Sequence, residues 1–189
     1  QSFGAAIDYI KCGINGPVVF NVVQGSGPYN EQVVIPFIGG SSSINKVTIN
    51  GNGEKLIYNF AATDKRAVLT LNDADHIVID SLTIECANAI YGWGILFTNN
   101  ADSNIIRKCN IMVDESSTST DHNNIGIVFN GATTIASNFF GTPGSNGSYN
   151  EIIGNTINGG EYGIYAFGAG VQNVGNKISG NIIKNFYRW

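Results

Sequence analysis

Four stretches of this 189-residue chain repeat one short pattern: residues 76–84, 104–111, 150–157 and 176–183. Each carries Thr or Asn followed by Ile, with branched apolar residues a few places upstream. A second unit recurs between them: Ala67-Val68-Leu69-Thr70-Leu71, Gly94-Ile95-Leu96-Phe97, Gly126-Ile127-Val128-Phe129 and Gly163-Ile164-Tyr165-Ala166-Phe167. Two alternating short strands per repeat, separated by Asn, Asp and Gly turns, are the mark of a β-solenoid. One coil cannot bury its own apolar side chains, so coils stack and each inward Ile or Val packs on its equivalents above and below. Taking Ile84, Ile111, Ile157 and Ile182 as equivalent, the spacings are 27, 46 and 25 residues. Two of these match one coil, and the third needs a coil plus an insertion. All four are expected to be buried.

The chain suffices for about six or seven coils of roughly 25 residues. Its 24 Gly and 25 Asn supply positive-φ turn positions. Only 13% of residues are charged, which is low for a solvated α/β domain, and the composition as a whole excludes a helical bundle. The net charge is −4 and the basic residues are scattered, so nothing points to nucleic acid or an anionic membrane surface. No apolar run reaches the ~18 residues of a membrane span. Low charge and abundant Asn point to an extracellular or cell-surface protein, and Gln1-Ser2 suits a mature terminus left after removal of a leader. Cys12, Cys86 and Cys109 form no metal-binding spacing. Buried free thiols are expected, with a Cys86–Cys109 bridge between neighbouring coils as the alternative.

Residues 3–14 have helical spacing, with Ser2 as N-cap and Gly13 as C-cap. A helix within residues 1–15 would close one end of the solenoid formed by residues 16–189. Polar insertions near 114–123 and 136–149 account for the long gap and are loops of the kind that carry binding function. Phe186, Tyr187 and Trp189 suit a docking surface, so the C-terminal face is expected to be covered by further coils of a longer chain or by a second copy stacked end to end.

The runs Pro17-Val18-Val19-Phe20-Asn21-Val22, Gly27-Pro28-Tyr29-Asn30-Glu31-Gln32-Val33-Val34-Ile35 and Val47-Thr48-Ile49-Asn50-Gly51 resemble the opening of right-handed parallel β-helix proteins. These form the pectate-lyase-like superfamily, whose pectin methylesterase branch begins with a similar Tyr-x-Glu-x-Val step. The helix followed by Gly16-Pro17-Val18-Val19-Phe20 is similar to β-helix modules of large secreted bacterial repeat proteins. The resemblance covers most of residues 3–187 and implies an all-β, single right-handed parallel β-helix with a short N-terminal capping α-helix. It implies no particular reaction.

Aligning the second units places Lys65 and Arg66, Tyr91 and Trp93, Asp121, His122 and Asn124, and Glu161 and Tyr162 along one rim. Aromatic faces stack on sugars while amides and charges take the hydroxyls, so this ladder suits a polysaccharide. Tyr91, Trp93, Asn124 and Tyr162 are the candidate binding residues; ordinary solvated turns are the competing reading. Should the chain be a polysaccharide lyase or glycoside hydrolase, Lys65, Arg66, Asp121, His122 and Glu161 are the candidates for catalysis. The Gly-His-Gly segment and aspartate set of polygalacturonases are missing, as are a Gly-x-Ser-x-Gly elbow and a P-loop. The expectation is therefore a carbohydrate-binding or adhesive module without a catalytic set. No cofactor is called for. Calcium is conceivable at Asp73, Asp75 and Asp102, although repeated Asx turns need no ion. Asn146-Gly147-Ser148 matches the N-glycosylation pattern but reads as a turn.

Overall fold

The computed structural model describes residues 2–59, 62–87, 89–133, 142–168 and 173–188. Gln1, Phe60, residues 136–141 of the second insertion, and Trp189 lie outside the described residues.

Helix α1 (Phe3–Ile10) opens the fold, with Ser2 Oγ accepting the Ala5 N–H at 3.1 Å as its N-cap. The helix ends at Ile10, short of Gly13; Gly13, at φ +110°, instead returns its N–H to the Ile10 carbonyl. Phe3, Ile7 and Ile10 are buried against the first coil, and Glu31 accepts the Phe3 and Gly4 N–H groups at 2.8 and 3.0 Å.

Each coil then contributes three strands. The first holds β1 (Val18–Asn21), β2 (Tyr29–Asn30) and β3 (Val33–Ile35); the second β4 (Val47–Asn50), β5 (Lys55–Ile57) and β6 (Ala67–Asn72). The third holds β7 (Ile77–Asp80), β8 (Thr83–Cys86) and β9 (Gly92–Thr98); the fourth β10 (Ile105–Arg107), β11 (Asn110–Val113) and β12 (Asn124–Phe129). The fifth holds β13 (Glu151–Ile153), β14 (Thr156–Asn158) and β15 (Tyr162–Ala166); β16 (Lys177–Ser179) and β17 (Ile182–Lys184) open a sixth. Stacking gives three parallel sheets: A (β1-β4-β7-β10-β13-β16), B (β2-β5-β8-β11-β14-β17) and C (β3-β6-β9-β12-β15). The chain is an all-β parallel solenoid of about five turns, fewer than the uniform 25-residue coil suggests. The fourth-to-fifth step consumes 46 residues between Ile106 and Ile152.

Three strands per coil, not two, is a correction with a visible cause. Each of the four repeated stretches contains a corner that splits it into a sheet-A and a sheet-B strand. Ser81, Lys108, Gly154 and Gly180 occupy that corner, all at φ between +53° and +65°. A second positive-φ column, His76, Ser103, Tyr149 and Gly175, turns the chain into sheet A. Isolated left-handed residues bend a strand sharply without ending the coil.

Columns of identical residues lock the stack. Asn104, Asn150 and Asn176 align, each side-chain oxygen accepting a backbone N–H of the preceding coil: Ile77 at 2.9 Å, Asn104 at 2.9 Å and Asn150 at 2.8 Å. Asn155 and Asn181 do the same for Cys109 and Asn155, each at 2.9 Å. Inside, sheet B carries the column Leu56, Ile84, Ile111, Ile157 and Ile183. Ile84, Ile111 and Ile157 are wholly buried, as expected. Ile182 is not: it pairs with Thr156, faces outward and is 61% exposed, while Ile183 holds the inward place. In Asn181-Ile182-Ile183 the first Ile occupies the site that Thr156 and Asn110 fill in earlier coils, so the Asn-Ile match was one residue out of register.

Facing this column, sheet C carries Gly94, Gly126 and Gly163, which its strand pairing passes over. A Cβ there would lie 2.5, 2.4 and 2.2 Å from the Cγ2 atoms of Ile111, Ile157 and Ile183 of the following coil. Glycine thus opens the space that the next isoleucine fills. Phe97 stacks on Phe129 with centroids 4.4 Å apart. Cys86 and Cys109 are buried free thiols, while Cys12, expected to be buried, is exposed beyond the helix. Burial pushes the Cys109 thiol up to about 12 and raises that of Cys86 still further.

Candidate functional site

The rim residues do converge on sheet C, but as a buried cluster. Strands β6, β9 and β12 are apolar on both faces, and Ala67, Trp93, Leu96, Ile125 and Val128 form a second packed layer on the outer face with Tyr162 and Tyr165. This layer was missed from sequence, where only the inward face was counted. Its signal was present: Gly92-Trp93-Gly94-Ile95-Leu96-Phe97 reads as a continuous apolar run, the pattern of a strand covered on both sides.

His122 is the hub of the cluster. It sits at the end of the 114–123 loop with φ +57° and only 3% exposure. Its carbonyl accepts both the Trp93 indole N–H at 2.8 Å and Arg66 Nη1 at 3.0 Å. Its own N–H donates to Glu161 Oε2 at 2.6 Å. Its ring lies edge-on to Tyr165 at 4.8 Å. Arg66 also donates to the Thr63 carbonyl at 3.0 Å and to Asn123 Oδ1 at 3.2 Å, and its guanidinium lies 5.0 Å from the Tyr91 ring and 5.4 Å from that of Trp93. Glu161 is wholly buried, and Arg188 Nη1 approaches its Oε1 at 3.7 Å.

Burial controls the electrostatics here. It raises the Glu161 pKa, against the opposing pull of the His122 N–H bond and Arg188. It lowers that of His122, and the nearby Arg188 and Arg66 charges push the same way. Burial likewise lowers the Arg66 pKa, countered by Tyr91 and Asp121.

Among the expected catalytic residues, the structure brings Arg66, His122 and Glu161 together beneath the surface. Lys65 and Asp121 lie exposed at its margin. Among the expected binding residues, Trp93 is wholly buried and Asn124 is 3% exposed, its Nδ2 donating to the Ala89 carbonyl at 2.9 Å. Neither offers a face to a sugar. Tyr91 and Tyr162 are half-buried, Tyr91 under Arg66 and Tyr162 beside His122.

Next to this cluster a groove of about 300 Å³ crosses the outer face of sheet C. Val34, Ala67 and Leu96 of three successive coils form an apolar floor, and Gln32, Asn72 and Thr98 set amides and hydroxyls along it. Asp64, Lys65 and Arg66 close one side and residues 131–133 the other. Asp64 is the one carboxylate lining it among the described residues. A larger apolar groove of about 770 Å³ lies at the N-terminal end of the solenoid, between α1 and β1, lined by Phe3, Tyr9, Val19 and Phe20.

The acidic turns serve the backbone. Asp75 Oδ1 accepts the Asp102 N–H at 2.8 Å, and Asp102 Oδ1 accepts that of Ser148 at 2.6 Å, one coil capping the next. Asp73 is exposed at φ +55°. No three His, Cys, Asp or Glu side chains converge as a metal site among the described residues. Asn146 is wholly buried and donates to the Phe167 carbonyl, so its turn is closed to a glycan-transferring enzyme. No described helix is long and apolar enough to cross a membrane. No protein-family model, curated protein or solved structure matches this chain.

Proposed function

We propose that the protein is a carbohydrate-binding solenoid module of an extracellular or cell-surface protein, holding an extended glycan in the sheet-C groove without cleaving it. The observation that carries this reading is the groove's lining: an apolar floor built from three coils, edged by amides and hydroxyls. A sugar chain has the matching faces, with C–H surfaces on its rings and hydroxyls at their edges. Lys65 and Asp64 at one side can engage a charged substituent. Glycoside hydrolysis usually needs two carboxylates about 5–9.5 Å apart across the bond, and the described lining holds only Asp64. His122 and Glu161, the strongest acid–base candidates, are occupied in packing.

The test is binding of the intact chain to a panel of neutral and uronate polysaccharides, with reducing ends and absorbance of unsaturated products followed in parallel. Val34 is 47% exposed on the groove floor, so Val34→Glu leaves the core intact while placing a charge under the bound sugar. Binding that is lost in V34E, with no product formed, supports the reading. Turnover abolished by Asp121→Ala or His122→Ala, or binding indifferent to V34E, overturns it.

One observation favours a second reading, head-to-tail association of copies. Strands β1 and β16 are opposite edges of sheet A. The column Phe20, Ile49, Ile79, Ile106 and Ile152 runs on to Ile178, which is 52% exposed beside Ile183 and Phe186, each 38% exposed. A second copy adding its β16 alongside β1 continues that column and fills the groove beside α1. Light scattering across a concentration series tests it: growth in mass that Ile178→Asp abolishes supports the second copy, and a constant monomer overturns it.

A further inference from the structure

Six Asn-Gly steps punctuate the chain, beginning at Asn15, Asn50, Asn52, Asn130, Asn146 and Asn158. An asparagine before glycine carries a latent reaction. Glycine has no Cβ to hinder its backbone nitrogen, so that nitrogen can attack the side-chain amide carbon of the preceding Asn. The new C–N bond closes a five-membered imide, and the Asn side-chain nitrogen leaves as ammonia, taking the proton of the glycine N–H. Water then opens the ring at either carbonyl, giving aspartate or isoaspartate, in which the backbone runs through the former side chain. The reaction needs a free glycine N–H and an Asn side chain free to turn.

The stack denies that freedom at five of the six steps. The Gly51, Gly53 and Gly159 N–H groups donate to the Asp80, Ser81 and Lys184 carbonyls of the following coil at 2.7, 2.7 and 3.0 Å. Gly131 N–H donates to the Thr142 carbonyl at 2.9 Å, and Gly147 N–H to Asn173 Oδ1 at 3.1 Å. Asn130, Asn146 and Asn158 are buried. The two nearer the surface are tied by their amides, Asn50 Nδ2 to Asn21 Oδ1 at 3.1 Å and Asn52 Nδ2 to the Val22 carbonyl at 2.7 Å. Asn15 differs on both counts. It is exposed in the bend between α1 and β1, and neither its side chain nor the Gly16 N–H has a hydrogen-bond partner among the described residues. A Cβ on Gly16 would meet no atom within 4 Å, so the bend is also open in space.

We propose that Asn15 is a site of spontaneous conversion to aspartate and isoaspartate, a covalent change that the fold confines to the joint between its cap helix and its first coil. The Ile14 N–H bond to the Gly39 carbonyl at 2.8 Å and the Val18 N–H bond to the Lys46 carbonyl at 2.9 Å anchor that joint on either side. Either product adds one negative charge between these anchors, and isoaspartate adds one backbone carbon as well. The ageing chain therefore changes at its cap while the coils stay intact, whatever the sheet-C groove binds.

The test is to hold the intact chain in mildly alkaline buffer, folded or in concentrated urea, and to follow each Asn by peptide mass spectrometry as a gain of one mass unit. In the folded chain Asn15 should convert at least about tenfold faster than any of the other five, because each of those must first break a bond that the fold supplies. In urea the difference should disappear. Gly16→Ala adds a Cβ beside the attacking nitrogen without crowding the fold, so it should slow Asn15 several-fold and leave the other five unchanged. Another Asn-Gly step converting as fast as Asn15 in the folded chain overturns the proposal. So does an Asn15 that converts in urea but not in the folded chain, or a rate indifferent to G16A.

Discussion

Replacing Asn150 by Ala removes the central rung of the Asn104–Asn150–Asn176 column. Asn150 is 1% exposed. Its Oδ1 accepts from the Asn104 backbone N–H at 2.9 Å and from Asn104 Nδ2 at 3.1 Å, and its Nδ2 donates to the Ala101 carbonyl at 2.9 Å. Asn104 Nδ2 keeps a partner in the Ala74 carbonyl at 2.7 Å. The truncation therefore strands two buried backbone groups, the Asn104 N–H and the Ala101 C=O, in a coil corner closed to water. Each costs about 1–3 kcal/mol, which sets the loss at roughly 2–6 kcal/mol. At about 4 kcal/mol a chain of this size loses roughly 8–16 °C in Tm. Asn72→Ala is the control. It deletes an Asn–Asn bond of similar length, the one from Asn99 Nδ2 at 2.7 Å, but in an exposed setting, so its cost should stay within about 0.5 kcal/mol. Calorimetry and urea unfolding measure both, and hydrogen exchange in N150A should weaken first in the third to fifth coils, because each coil touches only its neighbours. An N150A chain no more than about 1 kcal/mol below N72A would show that the column is decoration and not a lock.

Gly126→Ala places a Cβ 2.4 Å from Ile157 Cγ2 and 2.5 Å from the Gly163 carbonyl oxygen, and overpacking against backbone should cost about 1–3 kcal/mol or more by urea unfolding. Gly16→Ala, with no atom within 4 Å and no positive φ, should be neutral or stabilising by up to about 1 kcal/mol; equal losses in the two would refute the glycine–isoleucine interlock. Ile157→Ala should cost about 2–5 kcal/mol and Ile182→Ala less than about 0.5 kcal/mol, and the reverse order would restore the register first read from the spacing.

The solenoid itself follows from local and periodic information. A branched apolar residue recurring about every 27 positions, framed by Asn and Gly, has no other way to bury its side chains than to stack, and the inward column at Ile84, Ile111 and Ile157 follows directly. The Asn that opens the last three of the four repeats is equally legible: it sits at a corner where a backbone N–H of the preceding coil needs an acceptor, and its side-chain oxygen supplies it. What periodicity does not contain is the angle of a corner. Nothing in Asp80-Ser81 or Arg107-Lys108 announces a positive φ as Gly154 does, so two strands looked like one and Ile182 was taken for Ile183. Nor does a repeat pattern say which rim residues stay wet. His122 and Glu161 are far apart in sequence and ordinary in isolation. Their burial arises only when the 114–123 loop folds back over a sheet whose outer face is as apolar as its inner one, and that depends on how the coils pack side by side. The same packing buries Trp93 within the outer layer of sheet C and leaves Val34 and Leu96 to floor the groove, so the candidate site moved off the predicted ladder onto the neighbouring strands.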